Sequence, residues 1–207
     1  MSSIHKCKEE GKIFETELHK QMAADLVGQI KEKFNPDKSS DILDYGAGTG
    51  LVGVEFLSFC KHVTFVEVSK GMIEYLTEKL KVSGCENYKV LLTDSTSLFS
   101  SASFDFIIAA NVLHHIEDLT FLLNNFLSLL KNKGKLCISD FYTNIPFFSQ
   151  PGHEMPHKGF EPEKLKEKLE NIGYTKVTVT EAVPYYRKRE DGSEAYGRRF
   201  CLFAEKE

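Results

Sequence analysis

The sequence predicts an α/β fold, in which helices cover both faces of a doubly wound sheet. Two observations lead to this fold class. Apolar runs of strand length alternate with amphipathic stripes of helix length, and a glycine cluster at residues 46–50 directly follows the first apolar run. Of the 207 residues, 42% are hydrophobic and 27% are charged, which is typical of a globular domain rather than a disordered or coiled-coil chain. We therefore expect a single domain over residues 1–207, with a polar N-terminal extension at residues 1–16.

The N-terminal half of the chain predicts alternating helices and strands. Leu18, Met22, Leu26 and Ile30 form an apolar stripe, which indicates a helix that ends before the breaker at residues 35–37. The elements predicted next are a strand at 41–45, a helix from the glycine cluster through about Phe59, a strand at 62–68, a helix capped by Ser69 and ended at Gly84, and a strand at 88–93.

The C-terminal half begins with a nearly continuous apolar run at residues 104–112, which is typical of a central strand covered on both faces. Residues 141–160 are rich in proline and glycine and show no periodicity, so we expect a substrate lid there. The other predicted elements are a helix capped by Asp118 and stopped by residues 132–134, a strand at 135–140, a helix from Pro162 to near Gly173, and antiparallel strands at 175–186 and 199–204.

Charge and cysteine content narrow the class of partner and the compartment. A net charge of −4 gives no broad cationic field, so we expect neither DNA nor RNA as a partner. Five scattered cysteines without a C-x-x-C pair indicate a reducing, cytoplasmic setting. No apolar run approaches the roughly 20 residues of a membrane span, so no membrane association is expected. The sequence leaves the oligomeric state open.

The glycine cluster admits two interpretations. Residues 48–53 satisfy G-x-G-x-x-G, the dinucleotide fingerprint, which alone is a weak signal. Asp44 stands two residues before Gly46, where a carboxylate would repel a pyrophosphate. S-adenosylmethionine carries an ammonium and a sulfonium and no phosphate, so charge favours this ligand over NAD. Glu67, at the end of the second strand, can accept hydrogen bonds from ribose hydroxyls in either ligand.

Together these residues resemble the class I S-adenosylmethionine-dependent methyltransferases, in the small-molecule branch that includes quinone-biosynthesis-like enzymes. The resemblance spans about residues 20–205. It rests on the motifs at 44–50, Glu67, Asp94 with Ser95, Phe104 with Asp105, and 111–115. It implies a Rossmann-like sheet of seven strands in the order 3-2-1-4-5-7-6, with the last strand antiparallel and the ligand at the carboxyl ends of the strands.

The resemblance also implies roles for individual residues. The methionine part of S-adenosylmethionine is expected near the glycine turn, its ribose at Glu67, its adenine at Asp94 and Ser95, and Asn111 beneath the methionine. The predicted cofactor-binding residues are Asp44, Gly46, Ala47, Gly48, Glu67, Val68, Asp94, Ser95, Asn111 and Val112. The expected reaction is methyl transfer to a small-molecule acceptor by in-line displacement. An RNA or protein methyltransferase, or a non-catalytic nucleotide-binding module, stays an alternative.

Histidines supply the candidates for a catalytic base. A base is needed only where the acceptor atom carries a proton, and the candidates are His115, His153, His157 and Asp140, with His157 preferred over His115. Residues 153–157 also spell H-E-x-x-H, the zinc protease signature. That site requires both histidines on one helical face, which Pro156 disfavours, so we expect no metal.

A basic stretch near the C-terminus allows one further interpretation. Residues 187–189 together with Arg198 and Arg199 are basic, and acidic residues and Gly192 are interspersed. We expect a solvated hairpin tip there, with docking of an anionic substrate or RNA phosphate as the alternative.

Overall fold

Seven strands form one sheet in the computed structural model, which describes residues 15–143, 155–188 and 194–207. The sheet order is β3-β2-β1-β4-β5-β7-β6. Neighbours from β3 to β5 pair in parallel, whereas β7 is antiparallel to both β5 and β6. The strands are β1 Asp41–Tyr45, β2 His62–Glu67, β3 Tyr88–Leu92, β4 Phe104–Ala110, β5 Leu130–Phe141, β6 Thr175–Lys188 and β7 Glu194–Glu205. The predicted fold class and strand order are confirmed.

Helices cover both faces of this sheet. The α-helices of the described residues are α1 Glu17–Phe34, α2 Lys70–Ser83, α3 Leu119–Leu129 and α4 Pro162–Ile172. Helices α1 and α2 bury Leu26 and Leu76 in one apolar cluster, and α3 and α4 bury Phe126 and Leu169 in the other. The sheet therefore lies between two cores. Within the described residues, no helix combines the length and the apolar content that crossing a membrane requires.

Local capping explains where the predicted helices begin and end. The Ser69 hydroxyl accepts a hydrogen bond from Met72 N at 3.4 Å, and Asp118 Oδ1 accepts one from Phe121 N at 2.9 Å. Gly84 follows α2 with a φ of 69°, a conformation that glycine adopts without strain. These sequence signals were sufficient because each acts within a few residues.

The helix expected from the glycine cluster through about Phe59 was wrong. Turns follow β1 instead, and a 3₁₀ helix spans only Gly53–Phe56. Gly46, Gly48 and Gly50 have φ values of 71°, 55° and 76°. An α-helix cannot run through left-handed residues, so none begins before Gly50, and residues 51–60 form turns around the 3₁₀ helix.

The prediction around residues 132–134 was also wrong. Helix α3 ends at Leu129, and β5 begins at once with Leu130, which pairs with Phe104. The ladder then shifts, so that Lys135 pairs with Phe106, and Lys133 has a φ of 61°. The predicted turn is therefore an irregularity inside a strand. Strands β6 and β7 also extend beyond the predicted bounds, and Gly192 lies outside the described residues.

The two ends of the predicted lid are joined to each other. Tyr142 pairs with Phe160 through an isolated parallel bridge. Thr143 N donates to Phe160 O at 3.0 Å, and Phe160 N donates to Phe141 O at 2.9 Å. Residues 144–154 lie outside the described residues, so the lid and the single-domain boundary stay predictions.

Candidate active site

The glycine turn is held against the end of the neighbouring strand. Gly46 N and Ala47 N both donate to Val66 O, at 2.8 and 2.9 Å. A Cβ at Gly46 would overlap Val112 Cγ2, whereas a Cβ at Gly48 would meet no atom within 4 Å. Gly46 is therefore required by packing against the segment after β4, and Gly48 borders open space.

Asp44 is buried beneath this turn. Asp44 is 2% exposed, and its Oδ2 accepts a hydrogen bond from Gly53 N at 3.0 Å. A Cβ at Gly53 would overlap that same carboxylate oxygen. Burial raises the pKa of Asp44 to about 7, and the nearby charge of Glu67 acts in the same direction. Asp44 is thus poised between its neutral and ionised forms near neutral pH.

Glu67 is fixed by backbone amides on both sides. Glu67 Oε2 accepts from Gly48 N at 2.8 Å, and Oε1 accepts from Val68 N and Ser69 N, each at 2.8 Å. A carboxylate offers about four acceptor positions, so about one remains for a ligand. This orientation places a preorganised acceptor directly beside the open face of Gly48.

Asp94 and Ser95 follow β3 at the same edge of the sheet. Asp94 O accepts a hydrogen bond from the Tyr45 hydroxyl at 2.9 Å, which ties this loop to the end of β1. The Ser95 hydroxyl accepts from Ser97 N at 3.3 Å and thereby caps a short 3₁₀ helix, Thr96–Leu98. The Asp94 side chain is exposed to solvent.

Asn111 occupies the end of β4 in a left-handed conformation, with a φ of 54°. Asn111 N donates to Ser139 O at 2.7 Å. Asn111 Oδ1 accepts two hydrogen bonds from Arg199, from Nη2 at 2.9 Å and from Nε at 3.2 Å. The amide of Asn111 is therefore held by a side chain of β7, two strands away in the sheet.

Arg199 does not lie at a solvated hairpin tip, and that prediction was wrong for this residue. Arg199 is 1% exposed, whereas the adjacent Arg198 is exposed. Arg199 pairs with Phe141 of β5 and precedes a buried run, residues 200–204. Its position directly before that apolar run was the one feature of the sequence that could have predicted its burial. Residues 189–193, which contain the predicted tip, lie outside the described residues.

A buried histidine–carboxylate pair lies at the ends of β4 and β5. His114 Nδ1 and Asp140 Oδ1 are 2.8 Å apart, and Asp140 is fully buried. Asp140 also accepts from Phe141 N at 2.8 Å and from His114 N at 3.3 Å. The ring of the predicted base His115 lies against the His114 ring, with centroids 4.2 Å apart and an angle of 39° between the ring planes. Burial, and after it the neighbouring His114, lowers the pKa of His115. The sequence pointed to the histidine pair but not to its inward-facing member.

His157 approaches the same cluster from the far end of the lid segment. His157 N donates to His114 O at 3.3 Å, and its ring lies against Phe160 with centroids 5.3 Å apart. His157 Nε2 is buried and has no hydrogen-bond partner in the described part of the chain. An unpartnered buried nitrogen is unusual and requires an explanation, such as an absent ligand. Residues 153–154 of the H-E-x-x-H match lie outside the described residues.

Known proteins resemble this chain at the level of sequence and fold. Residues 43–138 match the methyltransferase domain family. An uncharacterized methyltransferase of Schizosaccharomyces pombe is 27% identical over 67% of this chain and 54% of its own length. Phosphoethanolamine N-methyltransferase 1 of Arabidopsis thaliana is 31% identical over 72% of this chain and 31% of its own length. The chain thus spans about half, or less, of the length of these relatives.

A solved structure shares the fold over almost the whole chain. The 1,6-didemethyltoxoflavin-N1-methyltransferase of Burkholderia thailandensis, solved with 1,6-didemethyltoxoflavin and S-adenosylhomocysteine, superposes with a TM-score of 0.70 at 18% identity. The superposition covers 98% of this chain and 84% of that one. The matched domain contains the glycine turn, Glu67 and the end of β4, which are the motifs that carried the resemblance in the sequence. Residues 43–138 of this chain thus match the methyltransferase domain family, and the chain as a whole is similar in fold to an S-adenosylhomocysteine-binding methyltransferase.

Proposed function

We propose that this chain binds S-adenosylmethionine at the carboxyl ends of β1, β2 and β4 and transfers its methyl group to a small-molecule acceptor. One observation carries the proposal: two carboxylates, Asp44 and Glu67, flank a glycine turn whose Gly48 borders open space. Such a site suits a ligand with cationic groups and ribose hydroxyls.

The residues present fit this ligand better than a dinucleotide. A pyrophosphate is normally bound by free N–H groups at the N-terminus of an α-helix. Here a four-residue 3₁₀ helix, Gly53–Phe56, follows the turn, and its first amide already donates to Asp44. The same carboxylate would repel a phosphate whenever it is ionised.

We propose ligand-contacting residues in two regions of the site. Residues at the glycine turn and after β4 would hold the methionine part, and those at the ends of β2 and β3 would hold the nucleoside. The proposed cofactor-binding residues are Asp44, Gly46, Ala47, Gly48, Glu67, Val68, Asp94, Ser95, Asn111 and Val112.

When bound, S-adenosylmethionine supplies an electrophilic methyl group on a sulfonium that leaves as a neutral thioether. The side chains therefore act mainly by orienting the acceptor and excluding water. We propose that His157 binds the acceptor through its unpaired Nε2 and removes a proton where the acceptor atom carries one. His115 is the second candidate for that role.

A small-molecule acceptor is favoured by the names of similar proteins. The Arabidopsis relative is named for phosphoethanolamine, and the Burkholderia structure contains the small heterocycle 1,6-didemethyltoxoflavin. The predicted lid at residues 141–160 is consistent with enclosing a modest acceptor. The quinone-biosynthesis-like branch stays a prediction.

Parallel calorimetric titration with S-adenosylmethionine, S-adenosylhomocysteine and NAD tests the ligand. We expect both sulfur ligands to bind and Glu67→Gln to weaken both by at least tenfold, because the variant replaces a charged acceptor. Glu86→Gln is the matched control, since Glu86 is exposed and precedes the opposite end of β3. Tight NAD binding without a response to the sulfur ligands would contradict the proposal.

Methyl transfer to a panel of acceptors tests the acceptor class and His157. The panel contains phosphoethanolamine, small amines and phenols, a structured RNA and a lysine-rich peptide. We expect turnover on a small molecule, and His157→Ala to lower it at least tenfold while S-adenosylhomocysteine binding is unchanged. His157→Gln retains hydrogen bonding but not a base near neutral pH, so partial rescue would assign binding rather than proton removal. Turnover confined to RNA or peptide, and lost at high salt, would replace the acceptor class.

A further inference from the structure

Arg199 is a buried cation whose hydrogen-bond partners among the described residues are all uncharged. Besides the two hydrogen bonds to Asn111 Oδ1, Arg199 Nη2 donates to Ser139 Oγ at 2.9 Å and Nη1 donates to Val183 O at 3.2 Å. Among the described residues, no carboxylate lies within ion-pair distance of this guanidinium. A buried charge without an opposite charge is costly, and burial lowers the pKa of Arg199. No direct partner therefore neutralises the positive charge of Arg199, and this charge can stabilise a negatively charged group of a neighbouring ligand.

Both nearby carboxylates are committed elsewhere. Asp140 accepts hydrogen bonds from His114 and Phe141, and Asp25 Oδ2 accepts from Gln29 Nε2 and Val183 N. These carboxylates favour the charged form of Arg199 through space, but they do not bond to it. The guanidinium remains charged while its direct contacts stay neutral.

Arg199 also determines the orientation of the Asn111 amide. Arginine has donors and no acceptor, so the atom of Asn111 that faces it must be Oδ1. Asn111 Nδ2 then faces away from Arg199, and it has no hydrogen-bond partner among the described residues. The adjacent Val112 packs against Gly46, so the main chain at Asn111 lies close to the glycine turn. Asn111 therefore presents N–H donors that a buried positive charge polarises.

We propose that Arg199 is a positioning residue that, through Asn111, creates the binding position for the α-carboxylate of the ligand's methionine part. This inference rests on the proposed function. The amino-acid end of S-adenosylmethionine carries both an ammonium and a carboxylate. Asp44 lies on the acidic side of the turn and suits the ammonium, whereas Asn111 with Arg199 behind it suits the carboxylate.

Two ligands that differ only in the amino-acid part test this directly. S-adenosylhomocysteine has the homocysteine carboxylate, and 5′-methylthioadenosine has the same nucleoside and thioether without it. We expect Arg199→Met to weaken S-adenosylhomocysteine at least tenfold and 5′-methylthioadenosine less than threefold. Methionine is an unbranched apolar side chain, so it removes the charge and the donors, and the acceptors left without Arg199 should lower the stability of the variant. Both affinities are therefore measured on the folded variant. Arg198→Met, at the exposed neighbour, should leave both affinities unchanged.

Asn111→Asp provides a second test with an opposite effect on stability. Aspartate tolerates the left-handed conformation and keeps the acceptor that faces Arg199. The variant gives Arg199 a carboxylate partner, so the thermal midpoint should rise. It also replaces the N–H donors by a negative charge, so S-adenosylhomocysteine should bind at least tenfold more weakly and 5′-methylthioadenosine almost as before.

The outcomes separate this inference from the proposed function. If wild-type protein binds both ligands and Arg199→Met weakens neither, or weakens both equally, the positioning role is overturned and the proposed function stands. If wild-type protein binds neither ligand, the proposed function fails, and the inference fails with it. If Arg199→Met does not fold, the two affinities of Asn111→Asp decide.

Discussion

The two halves of the candidate active site hold their charged groups in different ways. At the ends of β1 and β2, Asp44 and Glu67 accept hydrogen bonds only from backbone amides in the described residues. At the ends of β4 and β5, and in the middle of β7, side chains bond to side chains: His114 to Asp140, and Arg199 to Asn111. One half is acidic and shaped by the main chain, and the other is a network of side chains that contains a buried cation.

This difference suits the two halves to different tasks. Backbone amides are fixed by the fold, so the acidic half offers a rigid surface to a nucleoside and a cation. A network of side chains can hold one side chain in a particular rotamer, as it holds the amide of Asn111. The position of each member then depends on the hydrogen bonds of the others. We therefore expect substitutions in the acidic half to act through protonation, backbone packing and ligand contact, and those in the network to act through the loss of hydrogen bonds between side chains.

Asp44→Asn gives the largest expected effect, a gain in stability at high pH. The native pKa of about 7 lies above the ordinary value of 3.8, a difference of about 4 kcal/mol. Because the native state binds the proton more tightly, wild-type stability falls as pH rises from about 4 to 7. Denaturant unfolding at pH 8 should show that Asp44→Asn raises the free energy of unfolding by about 2–4 kcal/mol. The gain is smaller than the full difference because burying the new amide group offsets part of the benefit of removing the buried charge. Near pH 4 the gain should vanish.

Asp41→Asn, on the same strand, is the control with the opposite sign. Burial opposes ionisation of Asp41, but hydrogen bonds from Lys61 and Lys131 outweigh it and lower its pKa. Its carboxylate stabilises the protein above the ordinary pKa of 3.8, so this variant should be slightly less stable at pH 8. In wild type, S-adenosylmethionine should bind more tightly as pH rises through about 7, and Asp44→Asn should remove that slope. A stability gain independent of pH would contradict this account.

Asp140→Asn should produce the next largest effect, a loss of stability. The substitution replaces a fully buried carboxyl group, which is hydrogen-bonded to His114 Nδ1, by an amide, and a buried polar group left without a matched partner costs up to about 3 kcal/mol. Denaturant unfolding at neutral pH measures the loss. Asp118→Asn is the matched control, because asparagine caps a helix as well as aspartate does and should cost less than about 0.5 kcal/mol. Equal losses in the two variants would show that the network contributes nothing beyond a local hydrogen bond.

The acidic half was predictable from the sequence because its signals are local. The distance along the chain is 9 residues from Asp44 to Gly53 and 19 from Gly48 to Glu67. Glycines that follow a strand predict a turn there, and an acid at a strand end predicts an acceptor at the sheet edge. Even here, the sequence did not reveal that turns and a short 3₁₀ helix would stand in place of the expected α-helix.

The network could not be predicted, because its members meet across long stretches of chain. His114 and Asp140 are 26 residues apart, and Asn111 and Arg199 are 88 apart. In each case the sequence offers two adjacent candidates, His114 with His115 and Arg198 with Arg199. Packing between strands and helices decides which member of each pair turns inward. The apolar periodicity along the sequence does not predict that choice.

Two glycine variants separate packing from ligand contact within the acidic half. In Gly53→Ala the new methyl group would overlap the Asp44 carboxylate and Phe65, which should cost about 2 kcal/mol of stability. In Gly48→Ala the methyl enters open space, so only the left-handed backbone is strained, at about 1 kcal/mol. Gly48→Ala should nevertheless weaken S-adenosylhomocysteine more than Gly53→Ala does, as calorimetry on the folded variants can show. The reverse order of affinities would mean that Gly48 does not face the ligand.

The smallest effect is expected at the exposed rim of the network half. The Tyr142 hydroxyl and Arg198 Nη2 both donate to Glu181 Oε1, and the Arg198 guanidinium lies 4.3 Å from the Tyr142 ring centroid. Exposed ion pairs contribute little, because solvent screens them and ordering long side chains costs entropy. Glu181→Gln should therefore change the denaturation midpoint within measurement error, at both low and high salt. A clear, salt-dependent loss would show that the side-chain network extends from Arg199 to its exposed neighbour, and the contrast between the buried and the solvated arginine would no longer hold.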